Sequence, residues 1–279
     1  MIDLSPELQQ HLPKEGTFDW LLHIEGRIHR QVKHRRTVEF EAGGQRYFLK
    51  VHRGCGWGEI FKDLFTWRLP IVSARPDWLA IERLHTIGIL TLTVAGKGLR
   101  GMNPARRDSF VVTEALEGMI SLEDLARDWA GLTDARRFEL KRELFRRIAH
   151  IARTLHHNGM NHRDFYLCHF LVRDRSWKEW KPGDELELHL IDLHRAQLRA
   201  RVPTRWQVKD LGGLLFSALD RGLTSGDLLR FIEGYRERTW REILRTERRF
   251  WLRVCRNAHA IYTGYNKREP RLPRVIGPM

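Results

Sequence analysis

The chain has 279 residues, 42% of them hydrophobic and 30% charged, which allows a packed core and excludes wholesale disorder. Its net charge is +14, and from Arg221 onward fourteen Lys and Arg stand against six Asp and Glu, so an anionic counterpart is expected. No uncharged apolar run approaches the roughly 18–20 residues of a membrane span, and Cys55, Cys168 and Cys255 have no paired spacing. A soluble or membrane-surface protein in a reduced compartment fits these facts.

Thr37 to Glu41 alternates in polarity, Gly43-Gly44 offers the positive φ of a tight turn, and Gln45 to Val51 is extended again. This predicts a β-hairpin with Lys50 near the end of its second strand. A helix is expected from Asp77 to Leu84, with Pro76 as its start signal. A strand over 90–95 should precede a Gly/Asn/Pro-rich loop from Gly96 to Asp108. Phe110 to Thr113 reads as a short buried strand, left by a hinge, Glu114 to Gly118, on which Glu114 and Leu116 are candidate nucleotide contacts. Ser121 with Glu123 and Asp124 opens a helix. Leu140, Leu144, Ile148, Ile151 and Leu155 mark a long amphipathic helix ended by Asn158-Gly159. Strands over 170–172 and 186–191 flank a polar turn at 181–184, and the pattern after Pro203 is helical to about Arg256. Strands first and helices later predict an α+β, bilobal architecture. Residues 1–115 form a small antiparallel-sheet N-lobe and residues 116–279 a larger helical C-lobe.

The chemistry centres on His162-Arg163-Asp164, with His169 five residues after the aspartate and an apolar run, 188–191, ending in Asp192. Phosphoryl transfer from ATP needs one acid to align the attacking hydroxyl and a second to hold the magnesium that bridges the phosphates. Asp164 takes the first role and Asp192 the second, with a strand-end capping acid as the plainer reading of Asp192. Lys50 occupies the place of the lysine that contacts the α- and β-phosphates. Asp77 either pairs with that lysine or serves the dipole of its own helix, and Glu82 is the competing acid on another side. His169 stands where protein kinases carry an asparagine that reaches a second magnesium, and imidazole is a poor magnesium ligand. Either one metal suffices or His169 touches a phosphate. Asp210 reads as an acid buried beneath the catalytic loop, or simply as a helix-terminal acid. Zinc binding by His156, His162, Cys168 and His169 fits no familiar spacing. Arg238, Arg241, Arg245, Arg248, Arg249 and Arg256 share one face of the last helix, opposite an apolar stripe interrupted by Glu247. That face is either solvated or anion-binding.

Four runs carry a family resemblance: 47–50 with 52–54; 161–164 with 168–171; 191–198; and 205–206 with 209–211. In these the chain resembles the lipopolysaccharide core heptose kinases of the Kdo/WaaP type, a branch of the protein-kinase-like fold, over about Trp20 to Arg249. The resemblance implies transfer of the ATP γ-phosphate to a heptose hydroxyl of lipid A-linked inner-core oligosaccharide, on the cytosolic face of the bacterial inner membrane. It implies ATP and Mg2+ as cofactors, with Asp164 as catalytic acid and Lys50 and Asp192 as nucleotide and metal contacts.

No Gly-x-Gly-x-x-Gly loop precedes Lys50, so Gly26 and the Arg35-Arg36 hairpin are expected to cover the phosphates instead. Only 17 residues separate Asp192 from Asp210, too few for a segment on which a protein substrate docks. The competing reading is a catalytically inactive kinase-like protein that binds anionic glycolipid or an acidic protein partner. Nucleic acid is not expected, since no recognised module accompanies the charge.

Overall fold

The computed structural model describes residues 1–32, 34–65 and 72–271. They fall into two compact units, one of residues 1–83 and 91–116 and one of residues 84–90 and 117–279.

The first unit runs β1 (Ile2–Leu4), α1 (Pro6–Gln9), α2 (Thr17–His23), β2 (Arg27–Val32), β3 (Arg35–Ala42), β4 (Gln45–His52), α3 (Gly56–Phe65), α4 (Arg75–Thr86), β5 (Val94–Arg100) and β6 (Asp108–Glu114). Its six strands form one antiparallel sheet in the order β1-β5-β6-β4-β3-β2. The expected hairpin is β3–β4, turned by Gly43 and Gly44 at φ 60° and 77°. Alternation along β4 buries Tyr47, Leu49 and Val51 with Val38, Phe110 and the leucines of α1 and α2. The opposite parity puts Lys50 in register with Val111, and Val111 packs against Trp78 of α4. Pleat alternation therefore turns the lysine toward the helix that carries Asp77.

Two expectations for this unit need correction. The strand placed at 90–95 begins only at Val94 and continues to Arg100, through the segment expected to be a loop. Gly96 and Gly98 are there for close approach: a Cβ would lie 2.7 Å from Leu4 Cδ2 and 2.3 Å from Phe110 Cε1, respectively. Arg36, expected over the phosphates, donates to the carbonyls of Leu22 and Ile24 at 2.9 Å each, closing the C-terminal end of α2.

The second unit contains β7 (Met119–Ser121), α5 (Leu122–Asp128), α6 (Asp134–His157), β8 (Met160–Asn161), β9 (Phe170–Arg173), α7 (Asp174–Glu179), β10 (His189–Leu190), β11 (Gln197–Leu198), α8 (Thr204–Ala218), α9 (Ser225–Arg236) and α10 (Trp240–Asn266). Ser121 caps α5 by accepting from the Asp124 amide. Helix α6 buries Leu140, Leu144, Ile148, Ile151 and Leu155 as its period requires. The strand expected over 186–191 shrinks to His189–Leu190, paired with Leu171 and Phe170 of β9, and the Ile191 amide donates to the His169 carbonyl. Helix α10 kinks at Glu247, which pairs with both Arg236 and Arg238. Arg236 is half-buried in this pairing, while Arg238, Arg245, Arg249 and Arg256 stay exposed. No helix among the described residues is long and apolar enough to cross a membrane.

Candidate active site

The loop after α6 is shaped by a buried acid. Asp210, fully buried on α8, accepts the backbone N–H of His162 at 2.7 Å and of Arg163 at 2.8 Å. A third donor reaches it from His156 Nε2 at 3.3 Å. Because a carboxylate only accepts, His156 carries its proton on Nε2, and its Nδ1 accepts from the Tyr235 hydroxyl at 2.8 Å. Burial holds the Tyr235 phenol firmly protonated, as that bond requires. These contacts force Arg163 to φ 74°, a left-handed conformation that a non-glycine residue adopts only under constraint.

His162 is a scaffold rather than a base. It is wholly buried, desolvation lowers its pKa and keeps it neutral, and Nε2–H donates to the Ile191 carbonyl at 2.9 Å. That bond fixes the residue before Asp192, itself left-handed at φ 62°. One side chain thus couples the loop carrying Asp164 to the strand end carrying Asp192. The β8–β11 ladder repeats the coupling, pairing Asn161 with Gln197 and Met160 with Leu198.

His169 stands between the two acids. Its Nδ1 donates to the Asp164 carbonyl at 2.7 Å, and its Nε2 lies 3.4 Å from Asp192 Oδ2. Donation from Nδ1 leaves the Nε2 lone pair facing a carboxylate, the tautomer of a metal-binding imidazole. Asp192 Oδ1 accepts from His194 Nδ1 at 2.6 Å. The Asp192 carboxylate, steadied by His194, fits a hard cation such as magnesium, whereas the His169 nitrogen beside it is a poor ligand for that ion. The Asp164 carboxylate is only 13% exposed, and Oδ1 accepts from Arg195 Nη1 at 2.7 Å. At Cys168, next to His169 in the chain, burial pushes the thiol up to about 11, so it is no nucleophile at neutral pH.

In the first unit, Lys50 Nζ lies 3.9 Å from Asp77 Oδ1, and Asp77 is buried. Glu82, the rival acid, turns to Lys97 at 2.5 Å. Glu114 and Leu116 are half-buried at and just beyond the end of β6, where Glu114 donates its amide to the Thr93 carbonyl at 3.0 Å. The second unit therefore gathers Asp164, His169 and Asp192, and the first joins Lys50 to Asp77. Sequence reading assigned no role to Arg195. It stands three residues after Asp192, but no local spacing signals its reach to an acid 31 positions earlier.

This is the constellation of a protein-kinase-like fold: an antiparallel sheet bearing the lysine and a helical unit bearing both acids. The chain belongs to the lipopolysaccharide kinase (Kdo/WaaP) family, whose model matches residues 20–235. It is 45% identical over 241 residues to the lipopolysaccharide core heptose(I) kinase WaaP of Pseudomonas aeruginosa, covering 86% of this chain and 87% of that one. To the Escherichia coli enzyme of the same name it is 44% identical over 248 residues, with 88% and 91% covered. Among solved structures it is similar to WaaP in complex with acyl carrier protein, with a TM-score of 0.78, 37% identity, and 94% of this chain and 99% of that one covered.

Replacing Asp210 by Asn removes the charge and turns an amide N–H toward a backbone donor. We expect Asp210→Asn to cost about 3 kcal/mol in denaturant unfolding and to lower kcat at least tenfold. An unchanged unfolding midpoint would show that the loop does not depend on this carboxylate.

Proposed function

We propose that this chain is an ATP-dependent kinase of the lipopolysaccharide inner core. It transfers the γ-phosphoryl group to a hydroxyl of the first heptose, the sugar for which its relatives are named. The observation that carries this reading is the single imidazole of His169 spanning Asp164 and Asp192. Membership in a kinase family already implies ATP.

Asp164 aligns the acceptor hydroxyl through Oδ2, while Arg195 holds Oδ1 and fixes the carboxylate plane. The acceptor oxygen bonds to the γ-phosphorus as the bond to the β-phosphate bridging oxygen breaks. The hydroxyl proton passes to Asp164, and ADP carries away the bonding pair. Asp192 would hold Mg2+ through its carboxylate, with His169 orienting that acid against the Asp164 loop, and the metal would neutralise phosphate charge when bound. Lys50, braced by Asp77, is assigned to the α- and β-phosphates by its place in the family motif. The lipid-anchored acceptor places the reaction at the cytoplasmic face of the inner membrane.

A protein partner is part of this proposal. The structural relative is a complex with acyl carrier protein. Within the second unit of this chain lies an apolar cavity lined by Leu122, Leu144, Leu214, Phe231 and Trp251, among others. Its charged lining groups are already engaged, Lys141 with Asp227 and Arg221 with Glu123. An acyl chain fits a space of that chemistry.

With purified inner-core acceptor and ATP, Asp164→Ala should lose about 10³-fold or more in kcat while binding ATP normally; full activity would end the mechanistic reading. Asp192→Asn should raise the Mg2+ concentration needed for nucleotide binding, read by calorimetry, at least tenfold, and an unshifted requirement would move the metal elsewhere. Filling the cavity with Ala126→Phe should weaken binding of acylated carrier protein at least tenfold without lowering Tm. Equal affinity of variant and wild type would take the acyl chain out of that cavity.

A further inference from the structure

Around the indole of Trp206, on the first turn of α8, stand four cations. The charged centres of Arg163, Arg199, Arg205 and Lys209 lie 5.0, 5.6, 5.5 and 5.5 Å from the ring centroid. Among the described residues, none of the four makes an ion pair with a carboxylate; Arg199 reaches only the amide oxygen of Asn161, at 2.5 Å. The two acids nearby are already engaged, Asp164 by Arg195 and Asp210 by two amides and His156. Burial, followed by the charge of Arg195, pulls the protonation of both Arg163 and Lys209 downward. Two N–H donors, Arg163 Nε and Trp206 Nε1, are buried with no acceptor in the protein. The N-terminus of α8 has no side-chain cap and no acid in its first turn, so its amides add potential of the same sign.

A cluster of this kind repels itself. Cation–π attraction holds the charges against the ring but supplies no counter-charge. Other basic side chains of this unit do find acids, as in the Arg146–Glu143 and Arg175–Glu179 pairs. What sets these four apart is that they share one ring, where Arg163 adjoins Asp164 in the chain and Lys209 adjoins Asp210.

We propose that Arg163, Arg199, Arg205 and Lys209, with the Trp206 N–H, form a subsite for an anionic group of the acceptor, a carboxylate or a phosphate, which brings the reacting hydroxyl to Asp164. The proposal rests on the acceptor being a charged inner-core glycan, as inferred above. Guanidinium groups bind either oxyanion in two-point fashion, and the half-buried ring excludes water from one side of the bound group. Arg163 and Arg199 are tied into the catalytic loop, whereas Arg205 is exposed and Lys209 half-buried, so the last two can be altered without removing any of the hydrogen bonds that shape that loop.

The test uses the full chain, ATP and delipidated inner-core glycan at low salt, with kinetics and calorimetric binding of the glycan read in parallel. The double variant Arg205→Gln, Lys209→Gln should raise the acceptor KM and the glycan Kd at least tenfold. It should leave the ATP KM and Tm unaltered. A charge-matched control, Arg175→Gln with Lys178→Gln on α7, should change neither. Two further acceptors identify the group: one with carboxylates reduced to alcohols, one treated with phosphatase. On the acceptor that lacks the recognised anion, wild type should bind as weakly as the double variant. The subsite is overturned if the double variant binds untreated glycan normally, if the control loses as much, or if the variant's defect persists undiminished on both stripped acceptors. A wild type that binds the glycan but transfers no phosphate would sink the kinase reading and leave the binding comparison intact.

Discussion

The catalytic loop depends on one buried carboxylate accepting two consecutive backbone N–H groups. Charge-assisted bonds of this kind contribute about 1.5–3 kcal/mol each. A non-glycine residue held at positive φ costs roughly 1–3 kcal/mol. The two bonds to Asp210 therefore outweigh the strain at Arg163, and the loop takes a shape its sequence would not choose alone. Because donors and acceptor are buried, water cannot substitute, and the loop has little freedom to relax.

Further contacts extend this order outward. His156 and Tyr235 connect the carboxylate to α6 and α9, two elements that the buried Lys141–Asp227 pair joins a second time. His162 carries the constraint to Ile191, and His169 joins the Asp164 backbone to the Asp192 side chain. Imidazoles suit these tasks because the two ring nitrogens point in different directions, so one side chain can reach two segments of the chain.

Much of this was legible in the sequence where a local rule applied. The β3–β4 hairpin, the capped start of α5 and the apolar period of α6 follow from turn chemistry, capping and helical spacing. Each is decided within a few residues. The helix period put Asp77 on the apolar side of its helix but left it between pairing with Lys50 and serving the helix dipole; the 3.9 Å approach of Lys50, and the attachment of Glu82 to Lys97, come from the structure. Legibility failed where a glycine served packing rather than bending, as at Gly96 and Gly98, because composition cannot distinguish a turn from a close crossing. It failed again at Arg36 and Arg195, whose partners lie 12–14 and 31 positions away. The ring of cations about Trp206 was hidden for the same reason, since it draws on Arg163, Arg199 and the first turn of α8.

Gly159 ties two of these regions together. It ends α6 at φ 74°, and a Cβ there would stand 1.8 Å from the carbonyl oxygen of Arg199, whose amide donates back to the Gly159 carbonyl at 2.8 Å. The two strands of chain cross in van der Waals contact with no space for a methyl group. Any lineage that acquired a side chain at this crossing would have to reroute the segment bearing Arg199, and the guanidinium would move with it. Helix terminus and basic ring thus form one mechanical unit, and a side chain at position 159 would shift both together.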